Sequence, residues 1–296
     1  MRIGICGTGR MGGAMAARLI ELGQEVSVWN RSRARTEPLV HAGARLAATP
    51  AELVKESDVL LVMLLNDAAS EDVYRGPDGL LSTSLAGKLV IDCSTVQPGL
   101  NVAHATDVAA AGADFVECPV GGTVGPARQG KLFGFVGGSA DAVERAMPVL
   151  AQLCRRIEHV GTVGAGSTLK LAVNLPLLVY WQALGESLAI CKGLNLPPER
   201  LTDILADTSG AAAAMKGRAG DVARLMAGDE LAHAAFTVSA ARKDLATAVQ
   251  FAQTLRTELP VASSALSCFQ KAEAAGLGDA DAVSVPVFWA EGAGRI

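Results

Sequence analysis

The chain has 296 residues, half of them apolar and 19% charged, with a formal net charge of −4. That balance indicates an ordered globular protein of one large or two moderate domains and excludes a disordered one. Dispersed Arg and Lys give no electrostatic footprint for nucleic acid or an anionic membrane surface, so neither is expected as a partner.

In chain order, the first element is a strand, Arg2–Cys6, that runs into Gly7-Thr8-Gly9-Arg10-Met11-Gly12 and a helix over 14–22. Placed between strand and helix, a G-x-G-x-x-G run reads as a dinucleotide-binding fingerprint. Gly7 permits the tight turn, Gly9 admits a pyrophosphate to the backbone, and Gly12 lets the helix pack closely on the strand. The helix N-terminus offers N–H groups and partial positive charge to the phosphates. After Gly23 as a C-cap, Glu25–Trp29 forms a second strand ending at Asn30-Arg31-Ser32. An acidic residue there would hydrogen-bond a ribose 2′-hydroxyl, whereas an Arg accommodates a 2′-phosphate. With Asn30 and Arg31 present and no carboxylate before Glu37, NADP is the expected cofactor. NAD is the alternative, under which Arg31, Arg33 and Arg35 form only a solvated basic loop.

Further strands are expected at 59–64, 89–92, 114–118, 133–137 and 157–160, with helices between them, for example at 50–55 and 140–153. Such alternation means a largely parallel sheet covered on both faces, with ligands at the carboxyl ends of the strands. Leu64 and Leu65, at one such end, join the cofactor-binding candidates. Beyond Gly161 the pattern turns helical, at 166–194, 198–208, 221–227, 238–255 and 260–275. The expected fold is an α/β Rossmann-type N-terminal domain over 1–162, followed by an all-α substrate and oligomerisation domain over 163–296. A long helix starting near Ser167 introduces the second domain. An apolar helical set often finds its last partner in another subunit, so a homodimer or homotetramer is expected.

No apolar run reaches the length of a membrane span, because the most apolar stretch, residues 169–184, is interrupted by Asn174, Pro176 and Gln182. The N-terminus does not resemble a signal peptide, and a cytoplasmic location is expected. Six cysteines and four histidines lie far apart, without C-x-x-C pairs or His clusters. That spacing argues against a zinc site, a disulfide framework and a histidine base, so no metal is expected.

Three constellations lie at strand ends or near the domain junction. The first is Asp92-Cys93-Ser94-Thr95, where a strand ends in two hydroxyls that could also cap the following helix. The second, Glu117-Cys118-Pro119-Val120-Gly121-Gly122-Thr123, offers unobstructed backbone N–H groups that suit a carboxylate. A turn needing one left-handed glycine is the plainer reading. The third is Gly164-Ala165-Gly166-Ser167-Thr168-Leu169-Lys170 with Asn174, where a helix places Lys170 and Asn174 on one otherwise apolar face. A lysine in a dry site can exchange a proton near neutral pH; a snorkelling Lys at a helix edge is the alternative.

Taken together, these motifs resemble the β-hydroxyacid dehydrogenase family, of which 3-hydroxyisobutyrate dehydrogenases are the best-known members. The likeness spans nearly the whole chain and includes Met11-Gly12-Gly13-Ala14-Met15-Ala16, Arg242-Lys243-Asp244-Leu245 and Gly278-Asp279-Ala280-Asp281. It implies hydride transfer between a nicotinamide and a small β-hydroxy acid, or its aldehyde or keto form, such as a semialdehyde or glyoxylate. Lys170 would be the general acid/base and Asn174 its substrate-orienting partner. Ser94, Gly121, Gly122 and Thr123 would bind substrate, while Thr95 and Lys243 would face the cofactor. One departure stands out: the family's serine is replaced by Gly121, which puts any named substrate in doubt. An imine reductase of the same architecture, typically with Asp or Tyr where Lys170 stands, and a non-catalytic cofactor-binding protein are the competing readings.

Overall fold

The computed structural model describes residues 1–292, which fall into two units, Met1–Lys170 and residues 171 onward. Nine strands of the first unit form one sheet: β1 (Arg2–Cys6), β2 (Glu25–Trp29), β3 (Arg45–Leu46), β4 (Val59–Val62), β5 (Leu89–Asp92), β6 (Asp114–Glu117), β7 (Val120–Gly121), β8 (Leu132–Gly137) and β9 (Cys154–Gly161). Their order is β3-β2-β1-β4-β5-β6-β8-β7, with β9 beside β8. Pairing is parallel from β3 through β6 and between β8 and β9, and antiparallel where β8 meets β6 and β7. The strand order reverses direction between β1 and β4, so a ligand crevice lies at their carboxyl ends.

Every residue of β4 and β5 is buried, as strands covered on both faces require. On one face Ile3, Ile5, Met15, Leu61, Ile91 and Val149 share a core that includes α1 (Arg10–Glu21). On the other, Leu53, Leu60, Val62, Tyr74, Val90 and Phe115 form a second core. The remaining helices of this unit are α2 (Glu37–His41), α3 (Pro50–Glu56), α4 (Asp67–Arg75), α5 (Pro98–Ala110), α6 (Val124–Arg128) and α7 (Ala140–Leu153). Three starts are side-chain capped, with Thr49, Asn66 and Ser139 accepting from the N–H groups of Glu52, Ala69 and Ala142.

Helix α8 (Ala165–Ile190) begins in the first unit and runs on into the second. There α9 (Pro198–Ala206), α10 (Ala213–Lys216), α11 (Ala219–Met226), α12 (Val238–Thr254), α13 (Pro260–Ala272) and α14 (Ser284–Ala290) share a core of Leu184, Leu188, Val222, Leu245, Phe269 and Val285. No strand occurs among the described residues of this unit, only an isolated bridge between Thr237 and Asp281. Several boundaries differ from expectation. Helix α1 starts at Arg10 rather than residue 14, which brings Met11 and Gly12 into its first turn. Strand β4 ends at Val62: the Met63 N–H still donates to the Cys6 carbonyl at 2.9 Å, but that of Leu64 turns away to Ser94.

Candidate active site

The three fingerprint glycines exist for different reasons. Gly7 has φ +96°, and a Cβ there would lie 2.3 Å from the Met63 carbonyl. A Cβ on Gly12 would fall 1.9 Å from the Gly7 carbonyl, so helix and strand could not approach as they do. Gly9 is unlike both: only the Arg35 guanidinium, at 3.8 Å, would meet a Cβ there. Nothing in the fold demands that glycine, and its bare backbone leaves room for a diphosphate. Gly9 is also the N-cap of α1 and provides no side-chain cap, which leaves first-turn N–H groups for an anion.

At the end of β2, Asn30 Oδ1 accepts from the Thr8 N–H at 3.0 Å while its Nδ2 donates to the Ser32 carbonyl at 2.9 Å. Asn30 thus pins the glycine loop to the β2 turn. Arg31, Ser32, Arg33 and Arg35 are exposed, and among the described residues none of these arginines forms an ion pair. Arg10, the first residue of α1, is exposed as well. These residues fit a dinucleotide carrying a 2′-phosphate: a bare loop, an uncapped helix start and the exposed guanidinium groups of Arg31, Arg33 and Arg35.

The ends of β4 and β5 are joined. The Leu64 N–H donates to Ser94 Oγ at 2.9 Å, and the Ser94 N–H donates to Asp92 Oδ1 at 2.8 Å. Beneath them Tyr74 donates its hydroxyl to Asp92 Oδ2 at 2.9 Å and stacks on His104, centroid to centroid at 3.9 Å. Burial raises the Asp92 carboxyl above its ordinary range, opposed by its hydrogen bonds from Ser94 and Tyr74. Ser94 is fully buried, so it serves first to fix the Leu64 backbone. Neither Ser94 nor Thr95 caps α5, whose N-cap is Gln97. Thr95 is half-buried and Leu65 is 65% exposed.

In the second constellation Gly122 has φ +125°, and a Cβ there would press on Leu132 at 2.9 Å. Gly121 lies opposite Phe133 in the ladder, and Thr123 is the N-cap of α6, its carbonyl accepting the Ala127 N–H at 3.0 Å while its side chain makes no cap hydrogen bond. Glu117 is wholly buried and accepts hydrogen bonds from the start of α8. Lys170, only 7% exposed, stands on α8 one turn before Asn174. Within the second unit, Asn174 Nδ2 donates to Asp244 Oδ2 at 2.8 Å, and Asp244 Oδ1 pairs with Lys243 Nζ at 2.6 Å. A carboxylate accepts only, so Asp244 turns the Asn174 carbonyl away from itself. Asp281, from the C-terminal signature, is structural: it pairs with Arg218 and accepts the N–H groups of Ala235 and Val283.

Sequence reasoning passed over Tyr74, Asp92, Glu117 and Asp244 as site-building residues. A signal existed for two of them, since Asp92 and Glu117 are acids that close otherwise apolar strands, Leu-Val-Ile-Asp and Asp-Phe-Val-Glu.

Residues 2–161 match the NAD-binding domain of 6-phosphogluconate dehydrogenase, and residues 164–287 match the NAD-binding family of NADP-dependent 3-hydroxyisobutyrate dehydrogenase. The chain is 32% identical over 289 residues to 2-(hydroxymethyl)glutarate dehydrogenase of Eubacterium barkeri, covering 98% of this chain and 95% of that protein. It is 33% identical over 270 residues to 3-hydroxyisobutyrate dehydrogenase of Pseudomonas aeruginosa, covering 90% of each. The crystal structure of a 3-hydroxyisobutyrate dehydrogenase from Salmonella typhimurium aligns with a TM-score of 0.86 at 27% identity, over 97% of this chain and 99% of that one.

Proposed function

The chain belongs to the β-hydroxyacid dehydrogenases of the 3-hydroxyisobutyrate dehydrogenase type, NAD(P)-dependent oxidoreductases, and from that premise we propose how its residues divide the work. When bound, the nicotinamide supplies or accepts the hydride. Lys170 Nζ takes the substrate hydroxyl proton during oxidation and returns it to the carbonyl oxygen during reduction. Its burial supports this role, because few water molecules compete for the proton. Asn174 orients the substrate, and the hydrogen bond to Asp244 fixes which end of its amide is presented. Backbone N–H groups of Gly122 and Thr123 hold the substrate carboxylate, and Lys243 brings positive charge for the cofactor.

Gly7 to Gly12 cradle the diphosphate, with Leu64, Leu65 and Thr95 along the dinucleotide and Asn30 and Ser32 shaping the ribose end. Arg31 takes the 2′-phosphate, which makes NADP the preferred cofactor and NAD the weaker one. Small β-hydroxy acids and their semialdehyde or keto forms are the substrate class. A homodimer or homotetramer in the cytoplasm completes the reading, and light scattering of the purified protein tests its assembly. Among the described residues no helix is long and apolar enough to cross a membrane.

The observation that carries the proposal is the buried lysine one turn from an asparagine held by a buried carboxylate. Lys170→Ala should keep NADPH affinity, measured by nicotinamide fluorescence, and lose about 10²-fold or more of its turnover. Unchanged turnover removes this lysine from the mechanism.

A further inference from the structure

Glu117 closes β6 with its side chain wholly buried, and no cation among the described residues pairs with it. Four donors converge on it instead. The Gly164 N–H at 2.6 Å and the Gly166 N–H at 2.8 Å reach Oε1, while the Ser167 hydroxyl at 2.6 Å and Asn101 Nδ2 at 3.0 Å reach Oε2. Asn101 Nδ2 also lies 2.9 Å from Ser167 Oγ, which ties the two donors to Oε2 together. A buried carboxylate is costly unless hydrogen-bonded, and the first N–H groups of a helix need acceptors. Each supplies what the other lacks, and the positive end of α8 favours the charge.

Surrounding glycines are shaped to this carboxylate. A Cβ on Gly137 would lie 2.4 Å from Glu117 Oε1; one on Gly166 would lie 2.3 Å from the Phe135 carbonyl and 3.2 Å from Oε1. Neither glycine has a left-handed φ, so space and not backbone conformation selects them. The turn held in this way, Gly164 to Ser167, is the one that immediately precedes Lys170. Since its oxygens are filled by four donors and shut from solvent, Glu117 has no path for exchanging a proton with a substrate.

We propose that Glu117 is a positioning residue for hydride-transfer chemistry: it locks the first turn of α8 to the end of β6 and thereby fixes where the Lys170 ammonium stands. The inference rests on the reading of Lys170 as the proton-transfer group. Glu117→Gln keeps the volume but removes the charge. The Gly164 and Gly166 N–H groups only donate, so the Gln oxygen must face them and its NH2 must face Ser167 and Asn101. That has to be met by turning the Ser167 hydroxyl or the Asn101 amide, and the charge-assisted bonds that lock the turn are lost. Ser167→Ala removes a single donor and leaves the carboxylate in place.

With NADPH and succinic semialdehyde, Glu117→Gln should lose about tenfold to a hundredfold in kcat, and Ser167→Ala a smaller part of that. Substrate KM and NADPH affinity should stay near wild type, while the pH midpoint of kcat should move in Glu117→Gln. Unchanged kcat and pH midpoint in folded Glu117→Gln overturn the proposal, as does a loss confined to thermal stability and KM. Should Glu117→Gln fail to fold, Ser167→Ala and Asn101→Ala decide, and wild-type kcat and pH midpoint in both overturn it. If Lys170→Ala keeps turnover, the proton-transfer reading itself has failed. If Lys170→Ala is inactive and the Glu117 and Ser167 variants are unimpaired, only the positioning role falls.

Discussion

A Cβ added at Gly121 would meet Phe133 Cβ and Phe135 Cε2 at 3.6 Å, ordinary van der Waals contact, whereas one at Gly122 would strike Leu132 on a left-handed backbone. The fold therefore requires glycine at 122 and not at 121, where the resemblance leads one to expect serine. Phe133 and Phe135 stack beside Gly121 with centroids 4.7 Å apart. On the proposed reading, in which this loop holds the substrate carboxylate, a serine at 121 would add a hydroxyl beside that group. Gly121→Ser should melt close to wild type, since the added atoms fit. It should also raise the ratio of kcat/KM for 3-hydroxyisobutyrate over 2-(hydroxymethyl)glutarate by about tenfold or more, the scale set by one or two methylene-sized groups in a pocket. An unchanged ratio removes Gly121 from substrate selection.

Helices α4 and α5 are held together by buried polar groups: Tyr74 stacks on His104, and the Ser70 hydroxyl lies 3.1 Å from His104 Nε2. Burial, helped by the nearby Arg75 charge, lowers His104 from an ordinary 6.5 to about 4. Between those values the unfolded chain binds a proton that the folded one does not, so stability falls as pH drops through the window and this contribution is exhausted below it. The full effect is about 3 kcal/mol. Melting temperatures from pH 7 to pH 4 should fall more steeply for wild type than for His104→Gln; parallel curves would rule out His104 as the source. The same pair of helices shows where sequence reading stops. The 3.6-residue period gave α7 its exact bounds, Ala140–Leu153, but α5 buries Asn101 and His104, which break the apolar pattern of its inner face. Glu117 and Gly164 are 47 residues apart and Asn174 and Asp244 are 70, so their hydrogen bonds have no local signature. The glycine loop was legible because the contact between Gly7 and Gly12 falls within one short motif, and Lys170 because a charge amid apolar residues at helical spacing is conspicuous.

Over the whole molecule, composition changes character at Gly161, where the last strand ends, yet the contact boundary falls after Lys170. The buried anchor at Glu117 accounts for the difference, since it draws the first turn of α8 into the sheet-bearing unit. That unit therefore contains both the glycine loop and the lysine, and its affinity for the cofactor is linked to the stability of the chain. A ligand that binds only the folded state at a hundredfold its dissociation constant adds about 2.7 kcal/mol. For a protein of this size that raises the melting temperature by roughly 4 °C. If exposed Arg31 takes the 2′-phosphate as proposed, NADPH gains a contact that NADH lacks, so at equal concentration NADPH should produce the larger shift. Arg31→Ala should bring the NADPH shift down to the NADH value and leave the NADH shift unaltered. Equal loss with both cofactors, or equal shifts in wild type, would overturn the assignment of Arg31 to the 2′-phosphate.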